Sequence, residues 1–78
     1  MSRMKHNTKQ WLNVVYGRVG TRPFLISDLS RDLNNLGAIR DAHLLGHIDK
    51  VGRGRGNRSL WVIVPGNVKQ WVVEEVPV

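Results

Sequence analysis

The chain contains no cysteine, which excludes disulfide bonds and thiolate metal sites. Its apolar runs are short: the longest covers residues 60–64, whereas a membrane-spanning helix needs roughly 18 or more apolar residues. The first residues also lack the apolar core of a signal peptide. These absences predict an intracellular protein that makes no use of a membrane.

Catalytic and metal-binding constellations are lacking too. The sequence offers no closely spaced carboxylate pair in an apolar setting and no obvious Ser-His-Asp set. His43 and His47 could share a metal on one helical turn, but a structural zinc site needs four ligands, and only Asp41 and Asp49 are near in sequence. We therefore expect neither an enzyme nor a metal site, and no cofactor.

Acidic residues are scarce where basic residues concentrate. Twelve Lys and Arg stand against six Asp and Glu, which gives a net charge of +6 over 78 residues. Residues 1–22 hold five cations and no acid, and residues 50–58 hold four cations and no acid, namely Lys50, Arg53, Arg55 and Arg58. Charges that merely solvate a domain are usually mixed in sign. Segregated positive charge attracts polyanions, so the pattern favours binding to nucleic acid.

Glycine and arginine alternate between two short apolar segments in residues 46–64. Segments rich in β-branched residues that are joined by a glycine-containing loop predict a β-hairpin. The loop, residues 52–58, carries three arginines, and its glycines allow a positive φ and close approach of the backbone to a partner. We expect a flexible cationic finger that projects from the domain.

Three helices and a short strand are predicted before the hairpin, and the first two helices flank the strand. Apolar residues at helical spacing predict a first amphipathic helix with Asn7 or Thr8 as its N-cap. Residues 23–26 predict a brief strand. Ser27 suits the cap of a second helix, whose apolar stripe continues to Leu36, and Asn34-Asn35 marks a tight turn.

A third helix is predicted over residues 37–45, ended by Gly46. On a helical wheel one face is apolar and the opposite face is polar. The apolar face carries Ala38, Ile39, Ala42 and Leu45, and the polar face carries Arg40, His43 and His47.

The tail allows two interpretations. Its apolar spacing, together with Asn67 and Gln70 as a capping box, favours a helix, whereas its valines favour a strand. We favour the helix. Apolar side chains beyond the core suit burial by a second copy, which predicts a homodimer through Trp71, Val72, Val73 and Val76.

The predicted order is helix, short strand, helix, tight turn, helix, strand, basic loop, strand. With Leu44-Leu45-Gly46-His47-Ile48 leading into Gly52-Arg53-Gly54-Arg55, residues 8–64 resemble the winged helix-turn-helix family of DNA-binding domains. The resemblance implies a small α+β fold with three helices, a β-hairpin wing and a C-terminal helix as an option. Residues 1–7 would be a basic arm, and residues 65–78 an extension available for dimerisation.

The resemblance also implies how duplex DNA is bound. The third helix would enter the major groove, with Arg40 and His43 at base edges and Asn35 at a phosphate. Arginines of the wing would follow the adjacent backbone or minor groove. The candidate DNA-binding residues are Asn35, Arg40, His43, Lys50, Arg53, Arg55, Asn57 and Arg58.

A transcription regulator or chromosome-associated protein of the cytoplasm or nucleoid is the expected function. Two alternatives stay open. The first is a winged helix associated with RNA or the ribosome, which would use the same cationic wing on A-form geometry. The second is a winged helix that binds other proteins within a larger assembly.

Overall fold

The computed structural model describes residues 4–73, which form two α-helices, a three-stranded antiparallel sheet and four short 3₁₀ helices. The predicted α+β class is confirmed. The main elements are α1 (His6–Val19), β1 (Phe24–Leu25), α2 (Leu36–Leu44), β2 (Ile48–Arg53) and β3 (Ser59–Ile63). The 3₁₀ helices cover Ile26–Asp28, Arg31–Leu33, Arg55–Asn57 and Pro65–Gln70. Within residues 4–73, neither α-helix has the length and apolar character needed to cross a membrane.

Helix α1 begins earlier than its predicted caps. Lys5 is the N-cap and makes no side-chain capping bond, so the prediction of Asn7 or Thr8 is wrong. The Thr8 side chain is buried and donates a hydrogen bond to Asp41 Oδ2 at 2.7 Å. The Thr8 hydroxyl therefore binds α2 instead of capping α1 as the sequence had predicted.

The prediction of a second α-helix is wrong. Two 3₁₀ helices replace it, separated by Leu29 and Ser30 in extended conformation. Trp11 Nε1 donates a hydrogen bond to the carbonyl oxygen of Leu33 at 2.6 Å, and the Leu33 side chain is buried. Short helices have little stability of their own, so these tertiary contacts decide the conformation of the segment.

Helix α2 is close to its prediction. Asn35 Oδ1 accepts a hydrogen bond from the Ala38 amide at 3.2 Å, which caps the first turn. The helix begins at Leu36 rather than at residue 37, and Gly46 follows it with a φ of 81°. Its inner face is buried as predicted, through Ala38, Ile39 and Ala42.

The prediction of an exposed His47 is wrong, because this residue is 4% exposed. The chain leaves the helix at Gly46, so the helical wheel no longer describes the direction of the next side chain. His47 begins the approach to β2, and its amide donates to the carbonyl oxygen of Ala42 at 2.9 Å.

The sheet has the strand order β1-β3-β2, with β3 at its centre. The predicted hairpin is confirmed, since β2 pairs with β3 from Ile48↔Ile63 to Arg53↔Ser59. A bulge at Val51 interrupts the register between Lys50 and Gly52. Strand β1 closes the sheet on the other side through Phe24↔Trp61 and Leu25↔Leu60.

The tail continues the core. Pro65–Gln70 form a 3₁₀ helix, which is neither the α-helix we favoured nor the strand. Trp71 is 1% exposed and meets the Tyr16 ring edge to face at 5.5 Å. The Asn13 side chain donates to the Trp71 carbonyl at 3.0 Å and accepts from the Val73 amide at 2.8 Å. Three hydrophobic or polar contacts thus attach the tail to α1.

Two predictions for the tail change as a result. The capping box is not formed, because Asn67 Oδ1 accepts from the Gln70 side chain at 3.2 Å and the Asn67 amide group donates to the Gly46 carbonyl at 2.8 Å. Trp71 is buried within its own chain and does not offer a surface to a second copy. Homodimerisation stays a prediction, in which Val73, 63% exposed, is an available contact; Val76 lies outside the described residues.

The burial of His47 has a consequence for pH dependence. Its Nδ1 atom has no hydrogen-bond partner among residues 4–73. Burial lowers the pKa of His47 below its usual value because desolvation disfavours the charged imidazolium, and the Asp41 carboxylate opposes this shift in part. The folded protein therefore favours the neutral form of His47 near neutral pH.

We predict that the protein loses stability as the pH falls below about 6.5, the usual pKa of histidine. Below this pH the unfolded chain binds a proton at His47 more readily than the folded protein does. The free energy of unfolding then falls by up to about 1.4 kcal/mol per pH unit until the pH reaches the lowered folded-state pKa. Urea unfolding at several pH values measures the slope. His47→Gln should flatten it, whereas His6→Gln, at the exposed start of α1, should not. Equal slopes in wild type and His47→Gln would contradict the prediction.

Candidate nucleic-acid interface

The predicted site residues share one property, which is that every one of them is exposed. They lie in three places: the start of α2, the outer face of α2, and the β2–β3 hairpin with its tip (residues 54–58). The exposed set comprises Asn35, Arg40, His43, Lys50, Arg53, Arg55, Asn57 and Arg58.

The outer face of α2 combines one arginine with two apolar side chains. Leu36 is 75% exposed and Leu44 is 79% exposed, and Arg40 lies midway between them in the helix. We predicted that Leu36 continues a buried stripe, which is wrong because α2 buries the opposite face. The spacing of four residues between Leu36, Arg40 and Leu44 was the sequence signal for this shared face.

Trp61 joins the helix to the hairpin. The His43 ring meets the Trp61 ring edge to face, with centroids 5.0 Å apart. Lys50 Nζ lies 5.2 Å from the centroid of the same ring, which is within reach of a cation–π interaction. Trp61 is 9% exposed and sits in the central strand, where it contacts basic side chains from two different elements. Nothing in the sequence around Trp61 indicated this role.

The hairpin tip is folded rather than loose. Strand β2 extends to Arg53, so the loop is shorter than the predicted residues 52–58. The Gly54 amide donates to the Arg58 carbonyl at 2.8 Å, and the Asn57 amide donates to the Gly54 carbonyl at 3.2 Å. Gly56 and Asn57 adopt φ values of 65° and 61°, which close the turn. The predicted loop is therefore a hydrogen-bonded turn.

The tip also packs against the body of the domain. A Cβ atom on Gly54 would lie 2.9 Å from Leu25 Cδ2, so glycine permits a close approach between the hairpin and β1. Leu25 is buried by this approach and by its pairing with Leu60. The tip thus lies beside β1 and does not project as the sequence suggested.

Arg55 forms an ion pair with Asp28, which follows β1. We expected a loop without a compensating acid, and this is wrong because the acid comes from a distant part of the sequence. The two side chains are 79% and 50% exposed, and exposed pairs of this kind contribute little to stability. Lys50, Arg53 and Arg58 make no ion pair with residues 4–73, so the hairpin keeps a positive surface.

Asn35 lies apart from the hairpin. Its side chain caps α2 and lines a cleft of about 780 Å³ between the N-terminal half of α1, residues 32–35 and Val73. The cleft contains basic, acidic and amide side chains, and no group of three His, Asp or Glu in residues 4–73 is arranged to hold a metal ion. The structure therefore gives Asn35 a capping function and does not bring it to the basic hairpin.

Comparison of the chain with protein-family models, with curated proteins and with solved structures yields no match in any of the three. The site is accordingly interpreted from its own geometry and charge.

Proposed function

We propose that this protein binds double-stranded DNA as a small winged helix-turn-helix domain and acts as a transcription regulator or chromosome-associated protein. The observation that carries the proposal is the pair of exposed surfaces, on α2 and on the hairpin, that meet at Trp61. One surface offers a helix to a groove, and the other offers unpaired cations to the adjacent backbone.

The strand order supports this proposal. Helix α2, with its outer face exposed, is followed by the antiparallel hairpin. The short strand β1 after α1 completes the sheet in the order β1-β3-β2. In a winged helix the exposed helix and the hairpin act together on one duplex. The contact of His43 with Trp61 joins these two elements.

Each surface suits a different part of duplex DNA. The major groove of B-DNA admits an α-helix, where an arginine such as Arg40 can bind guanine O6 and N7 and apolar side chains can contact the thymine methyl group. Leu36 and Leu44 flank Arg40 at suitable positions on the exposed face of α2. Lys50, Arg53 and Arg58 supply cations for phosphates, which position the protein without reading sequence.

The two exposed leucines also support a second candidate, a winged helix that binds other proteins. Large apolar side chains that lie together on a helix face are typical of protein interaction sites. Leu36 and Leu44 would then be the centre of the interface, and the hairpin cations would only solvate its edge. An RNA-associated domain is the third candidate, but the narrow major groove of A-form RNA does not admit α2.

Salt dependence tests the proposal. If four to seven phosphates are contacted, we expect the logarithm of the affinity for duplex DNA to fall with the logarithm of the salt concentration, with a slope of roughly −4 to −6. Fluorescence anisotropy with a labelled duplex measures the slope. Duplex RNA and single strands, measured in parallel, should bind more weakly. A slope shallower than about −2 would mean that the charge is not used on a backbone.

A further inference from the structure

A small cleft separates the hairpin tip from the turn that follows β1. Its volume is about 350 Å³. Two arginines, one serine, one acidic residue and Leu25 line it. The polar lining residues are Ser27, Asp28, Arg55 and Arg58, and Gly56 completes the wall. Two guanidinium groups on one small cleft are typical of a site for an anion with several oxygens.

Asp28 forms an ion pair with one of these two guanidinium groups, that of Arg55. Its Oδ1 atom accepts a hydrogen bond from Arg55 Nη2. A carboxylate oxygen and a phosphate oxygen present the same kind of acceptor to a guanidinium, so Asp28 makes the contact that a phosphate would make. The bond joins residues 27 positions apart in sequence, and it is the one ion pair found within residues 4–73.

Arg58 is available for the same anion. Its Nε atom lies 3.8 Å from the position that a Cβ on Gly56 would take, so the side chain folds over the tip. Its guanidinium makes no hydrogen bond or ion pair with residues 4–73. The cleft therefore combines one guanidinium that is already paired with one that is not.

Two backbone amides of the tip also lack a partner among residues 4–73. The hydrogen bonds that close the tip use the amides of Gly54, Asn57 and Arg58. The amides of Arg55 and Gly56 make no hydrogen bond with any described residue. Backbone amides that are left unpaired in a tight turn are common partners of phosphate oxygens.

We propose that this cleft is a phosphate-binding site, that Asp28 takes the place of the phosphate in the unbound protein, and that a phosphate displaces Asp28 from Arg55. The class of ligand is a phosphate oxyanion. That the phosphate belongs to a DNA backbone rests on the proposed function, whereas free phosphate would use the same groups.

The exchange is easily reversible because the Arg55–Asp28 pair is exposed. An exposed pair of this kind changes the equilibrium constant for phosphate binding by about fivefold or less. Asp28 therefore weakens phosphate binding moderately without preventing it. Since every duplex presents the same phosphates, Asp28 lowers the part of the affinity that is independent of sequence.

The variant Asp28→Asn tests the proposal. We expect it to bind duplex DNA about two- to fivefold more tightly than wild type at moderate salt. Asp32→Asn is the matched control, because it makes the same change of charge at an exposed acid that lines the other cleft. In an Arg55→Ala background, Asp28→Asn should increase the affinity for duplex DNA no more than Asp32→Asn does.

A second measurement separates this proposal from the proposed function. Inorganic phosphate is titrated into isotopically labelled protein while the Gly56 amide is followed by NMR, and Asp28→Asn should bind the ion about two- to fivefold more tightly than wild type. That result without affinity for DNA would overturn the proposed function and support the phosphate site. Equal gains from Asp28→Asn and Asp32→Asn on DNA, or an unchanged phosphate titration, would overturn the site.

Discussion

Replacing Arg53, Arg55 and Arg58 together by alanine is expected to weaken the binding of duplex DNA roughly tenfold or more at moderate salt. Each arginine that contacts a phosphate contributes about one unit to the salt slope, so the slope should become shallower as well. The melting temperature should change little, because all three side chains are exposed and exposed substitutions usually alter stability by less than about 0.5 kcal/mol. The one ion pair lost is the exposed contact of Arg55 with Asp28.

A matched triple variant makes this result specific to the hairpin. Arg18, Arg22 and Arg31 are also exposed, and their replacement by alanine changes the net charge by the same amount. This control should retain most of the affinity. Equal losses from both variants would attribute binding to net charge alone. Wild-type affinity in the hairpin variant would contradict the wing mechanism and favour the protein-interaction candidate.

Arg40→Ala separates sequence reading from phosphate contact. If Arg40 binds a base edge, its loss should reduce the preference between two duplexes by roughly 1–3 kcal/mol. Binding to all sequences should weaken only slightly, because one side chain is removed from a surface of several cations. Competition between two duplexes of equal length measures the preference.

Trp71→Ala is expected to unfold most of the protein at room temperature. Removing a buried tryptophan costs about 3–5 kcal/mol, and a core of this size rarely supplies more than about 3–5 kcal/mol in total. Trp71 is almost fully buried, and its contact with Tyr16 anchors the tail to α1. Loss of the indole would also release the two hydrogen bonds through which Asn13 holds the tail.

Circular dichroism and urea unfolding measure this effect. Trp71→Phe retains a large ring and removes an indole N–H that has no partner within residues 4–73, so it should fold with a smaller loss of stability. Val73→Ala is the matched control in the same segment, and its exposed side chain should make the change nearly neutral. A wild-type melting temperature for Trp71→Ala would contradict the packing of the tail.

Elements whose signals are local were predicted well. Gly46 ends α2 by adopting a positive φ, as predicted, and the turn predicted at Asn34-Asn35 precedes the helix, although the capping of α2 by the Asn35 side chain was missed. The hairpin likewise follows from glycines between two apolar segments. In each case the residues that determine the conformation lie within a few positions of it, so the sequence pattern contains the necessary information.

Features that depend on distant residues were missed. Thr8 and Leu33 are fixed by partners on other elements, and these contacts outweighed the capping and helix signals. The pairing of Arg55 with Asp28 requires knowing that the hairpin tip leans on β1, which depends on Gly54 and Leu25. Composition along the chain records charge, but only the folded topology decides which charges meet.

The position of β2 at the edge of the sheet has a consequence for solubility. An unpaired edge can template the addition of a strand from another chain, and natural proteins oppose this with charged side chains and bulges. Strand β2 carries both, through Asp49, Lys50 and Arg53 and through the bulge at Val51. The opposite edge, β1, is only two residues long. The cations that would face a phosphate backbone therefore also protect the unbound protein against edge-to-edge aggregation.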